Sequence, residues 1–393
     1  MTMSSRRALV GATAGAVLCL LIGIRAAGQA PAGQAPTPPP GAPEKVPMTD
    51  DVFKSVEILR GIPVDTFFET MGMFASAMGN DCTFCHVSNA YFDKTAFAEP
   101  TPRIRRARQM LTMMTALNDQ YFAGRTRVTC FTCHGGSQAP RSEPDLALQY
   151  GAPTEDPNAR DFPVDSRVSA DQVFDKYLQA LGGTERLARL SSFSARGTYS
   201  GFDTAFEKVP VELFAKAPNQ QTMIVRLTGG VSTRTFDGRN AWMAGPDTPV
   251  PLLTLTEGNL DRARLEAIVA FPVGLRQAFP RWRVGRTAID DREVRVVQGM
   301  GDAQALANFY FDESGLLVRF VRWTRTPVGF IPTQVDYADY RDVAGVKIPF
   351  RRTVTQTYMQ MNIELSAVQP NVSIDAARFA RPTPMSRPAE SAR

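Results

Sequence analysis

Cysteine and histidine are scarce in this sequence, which has 5 cysteines and 2 histidines among 393 residues. One cysteine, Cys19, lies in an apolar run near the N-terminus, and the other four fall in two short motifs. A chain that has lost the apolar run therefore has no thiols left for a wider disulfide framework. No cysteine or histidine follows residue 134, which excludes a second centre of thiol or imidazole chemistry in the rest of the chain.

A strongly basic surface is also missing from most of the chain. The formal net charge is +5, but residues 1–30 contribute three arginines and no acid, so residues 31–393 carry +2. No basic cluster supports binding to nucleic acid or to an anionic membrane surface. We therefore expect neither of them as a partner.

The N-terminus has the pattern of an export signal. Arg6 and Arg7 precede the 17-residue apolar run "ALVGATAGAVLCLLIGI", which small residues follow. These features predict a signal peptide in residues 1–30, cleaved near Ala30, and a periplasmic protein. The run is just long enough to span a bilayer, so an uncleaved anchor in the cytoplasmic membrane is the alternative. Residues 31–47 contain seven prolines and predict an extended linker.

The remaining cysteines and both histidines form two copies of the pentapeptide C-x-x-C-H, with 44 residues between them. The copies are "CTFCH" and "CFTCH", which supply Cys82, Cys85, His86, Cys130, Cys133 and His134. This pentapeptide is the attachment signature of c-type haem, because two thiols add to the two vinyl groups and the adjacent histidine reaches the iron. The pattern predicts two covalently attached haem c groups.

Three other uses of these residues are weaker. A four-cysteine zinc site would need an unusually long gap and would leave both histidines coincidental. A redox-active dithiol expects one C-x-x-C at a strand-to-helix junction, where neither motif lies. Two local disulfides would also leave the histidines unexplained.

Each iron needs a second axial ligand, and the sequence has no third histidine. Methionine, a less usual donor and an open position are the options. A helix that ends at Gly79 is predicted before the first motif, with one side formed by Phe67, Met71, Phe74 and Met78. A helix from Thr101 and Pro102 to Gly124 is predicted before the second, with one side formed by Met110, Met114, Leu117 and Tyr121. Most helical methionines only fill a core, but two irons without histidines favour ligation here.

Residues of about 50–140 closely resemble the cytochrome c subunit of photosynthetic reaction centres, in the form found in non-phototrophic soil bacteria. The resemblance rests on "VEILRGIPVDTFFETMGMFASAMGNDCTFCH" and "ARQMLTMMTALNDQYFAGRTRVTCFTCHGG". It implies that each haem is held by a helix, a loop and a C-x-x-C-H motif, with a helix methionine as the sixth ligand. The phototrophic subunit has four haems and one further histidine ligand, so attachment to a reaction centre does not follow.

The resemblance also implies which methionines bind iron. The family pattern M-x-x-F-x-x-x-L-G places Met71 in the ligand position and Met78 in a packing position. The pattern A-R-x-M-x-x-M, which includes Ala107 and Arg108, points to Met110. The fallback ligands are Met73, Met113 and Met114.

Residues 166–382 have a different character. A helix that ends at "GG" and a short second helix are followed by alternating segments with turns at "DESG" and "DVAG", which predicts an antiparallel meander. The segments "AKAPN", "FDGRNAW" and "DYRDVAGVKIPF" resemble the lipoprotein-carrier family, which implies a curved sheet around an apolar cleft. Four acids are expected to cap backbone amides at turns: Asp237, Asp312, Asp339 and Asp342.

The sequence thus predicts an α+β protein: an α-helical dihaem cytochrome domain at 48–140, a linker at 141–165, a β-rich domain at 166–382 and a disordered tail at 383–393. The expected function is one-electron transfer without enzymatic activity. The expected partners are other redox proteins, one as electron donor and one as electron acceptor. A membrane reaction centre and a respiratory complex are the candidates. The alternatives are a haem enzyme or sensor with an open iron site, and a module that binds a lipid or quinone-like apolar ligand.

Overall fold

The computed structural model describes residues 45–91, 94–151, 156–246, 248, 250–301 and 305–384. The predicted signal peptide, most of the proline-rich linker and most of the tail lie outside these ranges. No helix within the described ranges is long and apolar enough to cross a membrane. The described residues from Val46 onward form one compact unit.

Eight α-helices lie in the described ranges: α1 (Thr49–Val52), α2 (Val64–Met78), α3 (Pro102–Phe122), α4 (Cys130–His134), α5 (Leu146–Tyr150), α6 (Ala170–Ala180), α7 (Thr184–Arg189) and α8 (Glu257–Ala270). Gly79 ends α2 in the left-handed conformation, as predicted. The Thr101 hydroxyl accepts a hydrogen bond from the Ile104 N–H and caps α3, which is also as predicted. Helix α3 ends at Phe122, slightly before the predicted Gly124.

The described strands form one antiparallel sheet of 13 strands: β1 (Ser192–Gly201), β2 (Val209–Lys216), β3 (Gln220–Leu227), β4 (Gly230–Phe236), β5 (Ala241–Ala244), β6 (Leu253–Leu255), β7 (Arg281–Ile289), β8 (Arg292–Met300), β9 (Ala305–Phe311), β10 (Leu317–Thr326), β11 (Gly329–Val343), β12 (Val346–Thr355) and β13 (Gln360–Pro370). Their order is 6-5-4-3-2-1-13-12-11-10-9-8-7. Two meanders are therefore joined by the pairing of β1 with β13. The predicted fold class, α+β with an antiparallel sheet after the helices, is confirmed.

Helix α8 and the strands β1, β6 and β7 were not predicted. Helix α8 has no continuous apolar side, because its buried positions include Asn259 and Arg262. A helix is predicted from apolar residues that recur at helical spacing. Helix α8 lacks this pattern, so the sequence does not predict it. The polar residues of α8 face a neighbouring helix and the sheet.

Three of the four predicted turn acids cap backbone amides. Asp237 accepts a hydrogen bond from the Asn240 N–H, Asp312 from the Leu316 N–H and Asp342 from the Gly345 N–H. The prediction for the fourth was wrong. Asp339 lies inside β11 and pairs with Arg341 at 2.6 Å, because the strand continues through that position.

The main core lies between one face of the sheet and helices α6, α7 and α8. Phe174 of α6 and Leu265 of α8 pack with the paired sheet residues Phe309 and Phe320, whose ring centroids are 5.0 Å apart. A cavity of about 80 Å³ remains in this layer, with Tyr177, Leu187 and other largely apolar side chains in its wall. It has room for a few water molecules.

Replacement of Phe309 should test this core. Phe309 is 0% exposed, so Phe309→Ala should lower the free energy of unfolding by about 3–5 kcal/mol through lost burial and a cavity. Phe206→Ala, at a residue that is 60% exposed, should change it by less than about 0.5 kcal/mol. Urea denaturation of both variants measures the difference, and equal losses would contradict this assignment of the core.

Candidate haem-binding site

The first C-x-x-C-H motif begins with a 3₁₀ turn at Cys82–Phe84, directly after α2. The Asp81 carboxylate caps this turn and accepts hydrogen bonds from the Thr83 N–H at 2.8 Å and from the Thr83 hydroxyl at 2.6 Å. The N–H of His86 donates to the carbonyl of Cys82 at 3.0 Å. This turn keeps both thiols and the imidazole within one short loop.

The second motif is helix α4 itself. Thr129 and Thr132 form a capping box at its start, and Gly135 ends it in the left-handed conformation. Residues three and four positions apart lie on the same side of a helix. Cys130, Cys133 and His134 therefore share one face, which is the arrangement that a single haem requires.

Both imidazoles are held in the same way. The Nδ1 atom of His86 lies 3.0 Å from the carbonyl oxygen of Phe97, and that of His134 lies 3.2 Å from the carbonyl oxygen of Ser137. A carbonyl oxygen can only accept, so each Nδ1 carries the proton and each Nε2 keeps its lone pair. Histidines that bind metals are commonly oriented by this kind of contact, so the residues fit an iron at Nε2.

The four thiols do not suit the other three uses. All are free. Burial raises the pKa of Cys82 and Cys85, and it raises that of Cys130 to about 11, whereas reactive dithiols have lowered values. Within the part of the chain that the structure describes, no three cysteine, histidine or acidic side chains come together as a metal-ion site.

The start of α3 contacts the first motif. The Thr101 hydroxyl donates to the carbonyl of Cys85 at 2.6 Å, and the Arg103 guanidinium donates to that of Phe84 at 2.7 Å. The same guanidinium lies 4.1 Å from the centroid of the Phe84 ring. The helix that precedes the second motif therefore also supports the first.

The end of α2 makes the reciprocal contact with the second motif. The N–H of Gly136 donates to the carbonyl of Ala77 at 3.0 Å. A Cβ atom at Gly79 would lie 2.2 Å from the carbonyl oxygen of Gly136, so this approach requires glycine. The sequence had marked Gly79 only as a helix stop.

The predicted methionine ligands lie on half-buried positions. Met73 and Met114 are only 6% and 5% exposed, because they pack together with Val328 of the β10–β11 turn and Ile331 of β11. Met71 and Met110 are half-buried, and Met71 points away from the Met73 side because an α-helix turns about 100° per residue.

Among the three fallback ligands, Met73 and Met114 are thus occupied in packing. Met113 is 47% exposed. The assignment of Met71 and Met110 as ligands stays a prediction.

The N-terminal part of the chain is similar to a known cytochrome family. Residues 24–147 match the family model of the photosynthetic reaction centre cytochrome C subunit. The resemblance expected from the sequence is confirmed. The subunit from Rubrivivax gelatinosus is 31% identical over 117 residues, which cover 29% of this chain and 30% of that protein. The subunit from Thermochromatium tepidum is 26% identical over 106 residues, which cover 26% and 25%.

The chain spans less than a third of the length of these reaction centre cytochrome c subunits. The matched stretch contains both C-x-x-C-H motifs and both methionine-bearing helices. The 13-stranded sheet lies outside this stretch.

Among solved structures, a LolA superfamily protein from Nitrosomonas europaea is 10% identical, covers 54% of this chain and 98% of its own, and has a TM-score of 0.36. A DUF1329 family protein from Desulfovibrio piger is 8% identical, covers 53% of this chain and 96% of its own, and has a TM-score of 0.37.

Asn118 is a site residue that the sequence analysis missed. This buried side chain of α3 accepts hydrogen bonds from the N–H groups of Arg127 and Val128, both at 2.9 Å, and donates to the carbonyl of Val128 at 2.7 Å. It thereby fixes the loop that leads from α3 into the second motif. The position of Asn118 on the otherwise apolar side of α3 is the sequence feature that could have indicated this role.

Replacement of Asn118 should loosen this loop. Asn118→Ala leaves backbone groups of Arg127 and Val128 without partners, so the free energy of unfolding should fall by about 1–3 kcal/mol. Gln120→Ala, at an exposed position of the same helix, should have almost no effect. Thermal or urea unfolding compares the two, and an unchanged stability of Asn118→Ala would contradict this role.

Proposed function

We propose that the chain is an exported c-type cytochrome that holds two covalently attached haems and transfers single electrons between periplasmic redox partners. One observation carries this proposal most strongly. In both motifs, a C-x-x-C-H turn presents an imidazole whose Nδ1 proton is bound to a backbone carbonyl, which leaves Nε2 directed to a metal. The match to the reaction centre subunit supports the same conclusion.

Each cysteine pair would hold one haem through thioether bonds to its two vinyl groups. Cys82 and Cys85 would hold the first haem, and Cys130 and Cys133 would hold the second. His86 and His134 would each give one nitrogen to an iron, and each haem would supply a one-electron couple.

Met71 and Met110 would each give a thioether sulfur to one iron as its second protein ligand. This ligand would leave no open position for oxygen or peroxide and would favour the ferrous state. The chain therefore acts as a carrier and not as an enzyme. The half-buried positions of both methionines, and the engagement of Met73 and Met114 in packing, support this choice.

The proposed location is the periplasm, with residues 1–30 as a cleaved signal or as an anchor in the cytoplasmic membrane. The electron donor and acceptor are other redox proteins. A membrane reaction centre is one candidate acceptor, since the matched relatives are reaction centre subunits. A respiratory complex is the other candidate.

The number of haems can be measured by intact mass. The protein should be exported in cells that have haem-attachment machinery, and its mature mass should exceed that of the polypeptide by two haems. The double variant Cys82→Ala/Cys85→Ala should lose one haem only, because the second motif is complete. An unmodified mass in the presence of functional attachment machinery would refute the proposal.

Methionine ligation can be tested on each helix. Met71→Ala and Met110→Ala should each create one iron that binds carbon monoxide and should lower the potential of that haem. Near-infrared spectra should lose one of the two methionine-to-ferric-haem bands in each variant. Met78→Ala is the matched control on the same helix, and it should cost only packing while both bands remain.

Two outcomes would overturn parts of this assignment. If the band survives in Met110→Ala and disappears in Met113→Ala, the ligand of that helix is Met113. If the unmodified reduced protein already binds carbon monoxide, one iron has an open position and the enzyme or sensor alternative replaces the carrier.

A further inference from the structure

Helix α2 carries the proposed ligand Met71 on one side and is built into the sheet on the other. The sheet-facing side is unusual because it contains two buried acids one helical turn apart, Asp65 and Glu69, which are 4% and 2% exposed. Burial of a carboxylate is costly unless its oxygens receive hydrogen bonds or ion pairs. The contacts of these two acids therefore define how α2 is held.

Asp65 is held by the first turn of α8. Its Oδ2 atom accepts hydrogen bonds from the Thr256 N–H at 2.7 Å and from the Asn259 amide at 3.2 Å, and its Oδ1 atom accepts one from the Thr256 hydroxyl at 2.8 Å. Thr256 makes no capping bond with its own side chain, so Asp65 caps α8 from another element. A carboxylate at the start of a helix is also favoured by the helix dipole.

The next turn of α2 meets the loop between β12 and β13. The Gln356 amide donates to Glu69 at 3.5 Å. Burial raises the pKa of Glu69, and the positive charges of Arg262 and Arg322 oppose this shift. A Cβ atom at Gly72 would lie 2.4 Å from the Thr357 hydroxyl, so the helix backbone lies directly against this loop.

The third turn meets the loop between β10 and β11. Met73 packs with Val328 and Ile331, and a Cβ atom at Gly329 would lie 3.5 Å from the Met73 Cε atom. Three successive turns of α2 thus contact three separate parts of the C-terminal sheet region. The direction and rotation of the helix are fixed by residues that follow the haem motifs by more than 100 positions.

We propose that Asp65, with Thr256 and Asn259 of the sheet region, is a positioning residue for the proposed iron ligand Met71. The C-terminal sheet then has a definite role in the cytochrome, because it sets where the thioether lies relative to the iron. This inference rests on the proposed function, specifically on the ligation of one iron by Met71.

The test uses the mature, haem-loaded protein with the substitutions Asp65→Ala and Asn259→Ala. Both variants should keep two haems by intact mass, because neither residue touches a C-x-x-C-H motif. Asp65→Ala should lose the near-infrared methionine band of one haem and gain one iron that binds carbon monoxide. Asn259→Ala removes a single donor, so it should fold and should lower the potential of that same haem to a smaller extent.

Thr222→Val is the matched control in the sheet. The Thr222 hydroxyl is buried and donates to the Arg378 carbonyl at 2.7 Å, and neither residue takes part in the α2 contacts described above. This variant should lose stability while both methionine bands and both potentials stay unchanged. The comparison separates a positioning effect from a general loss of stability.

The results distinguish this inference from the proposed function. If the unmodified protein has two methionine bands and both survive in Asp65→Ala with unchanged potentials, the inference is wrong and the proposed function stands. If the unmodified protein has no methionine band, the proposed ligation is wrong and the inference is wrong with it. Equal potential shifts in Asn259→Ala and Thr222→Val would also overturn the inference.

Discussion

The three hydrogen bonds that Asp65 accepts from Thr256 and Asn259 join two parts of the chain that lie 191 residues apart at the Thr256 N–H contact. They constrain helix α2 at its first turn, and the contacts of Glu69 and Met73 constrain the next two. Because these contacts fix one side of α2, they also set the direction in which the opposite side faces. Met71 lies on that opposite side and is half-buried.

The two halves of the haem-binding region support each other. The start of α3 binds the backbone of the first motif through Thr101 and Arg103, while the end of α2 binds the segment after the second motif through Ala77. Each methionine-bearing helix therefore contacts the motif that belongs to the other one in sequence. The two motifs therefore share their supporting elements.

The features that could be predicted from the sequence are those that depend on short stretches. The C-x-x-C-H turns, the cap at Thr101 and the glycine stop of α2 are each encoded within a few residues, and the meander follows from alternation and turn residues. Asp65, Asn118 and the whole of α8 could not be predicted, because their roles depend on partners distant in the chain or on buried polar groups. Periodicity of apolar residues carries no information about such contacts.

A crystal structure of the mature, oxidised protein would test the central claim most directly. The account predicts two covalently attached haems, with the Nε2 atoms of His86 and His134 on one side of the irons and the Sδ atoms of Met71 and Met110 on the other. It also predicts that Asp65 remains bonded to Thr256 beside the haem-bearing helix. An iron with an open position, a different side chain as sixth ligand or fewer than two haems would contradict it.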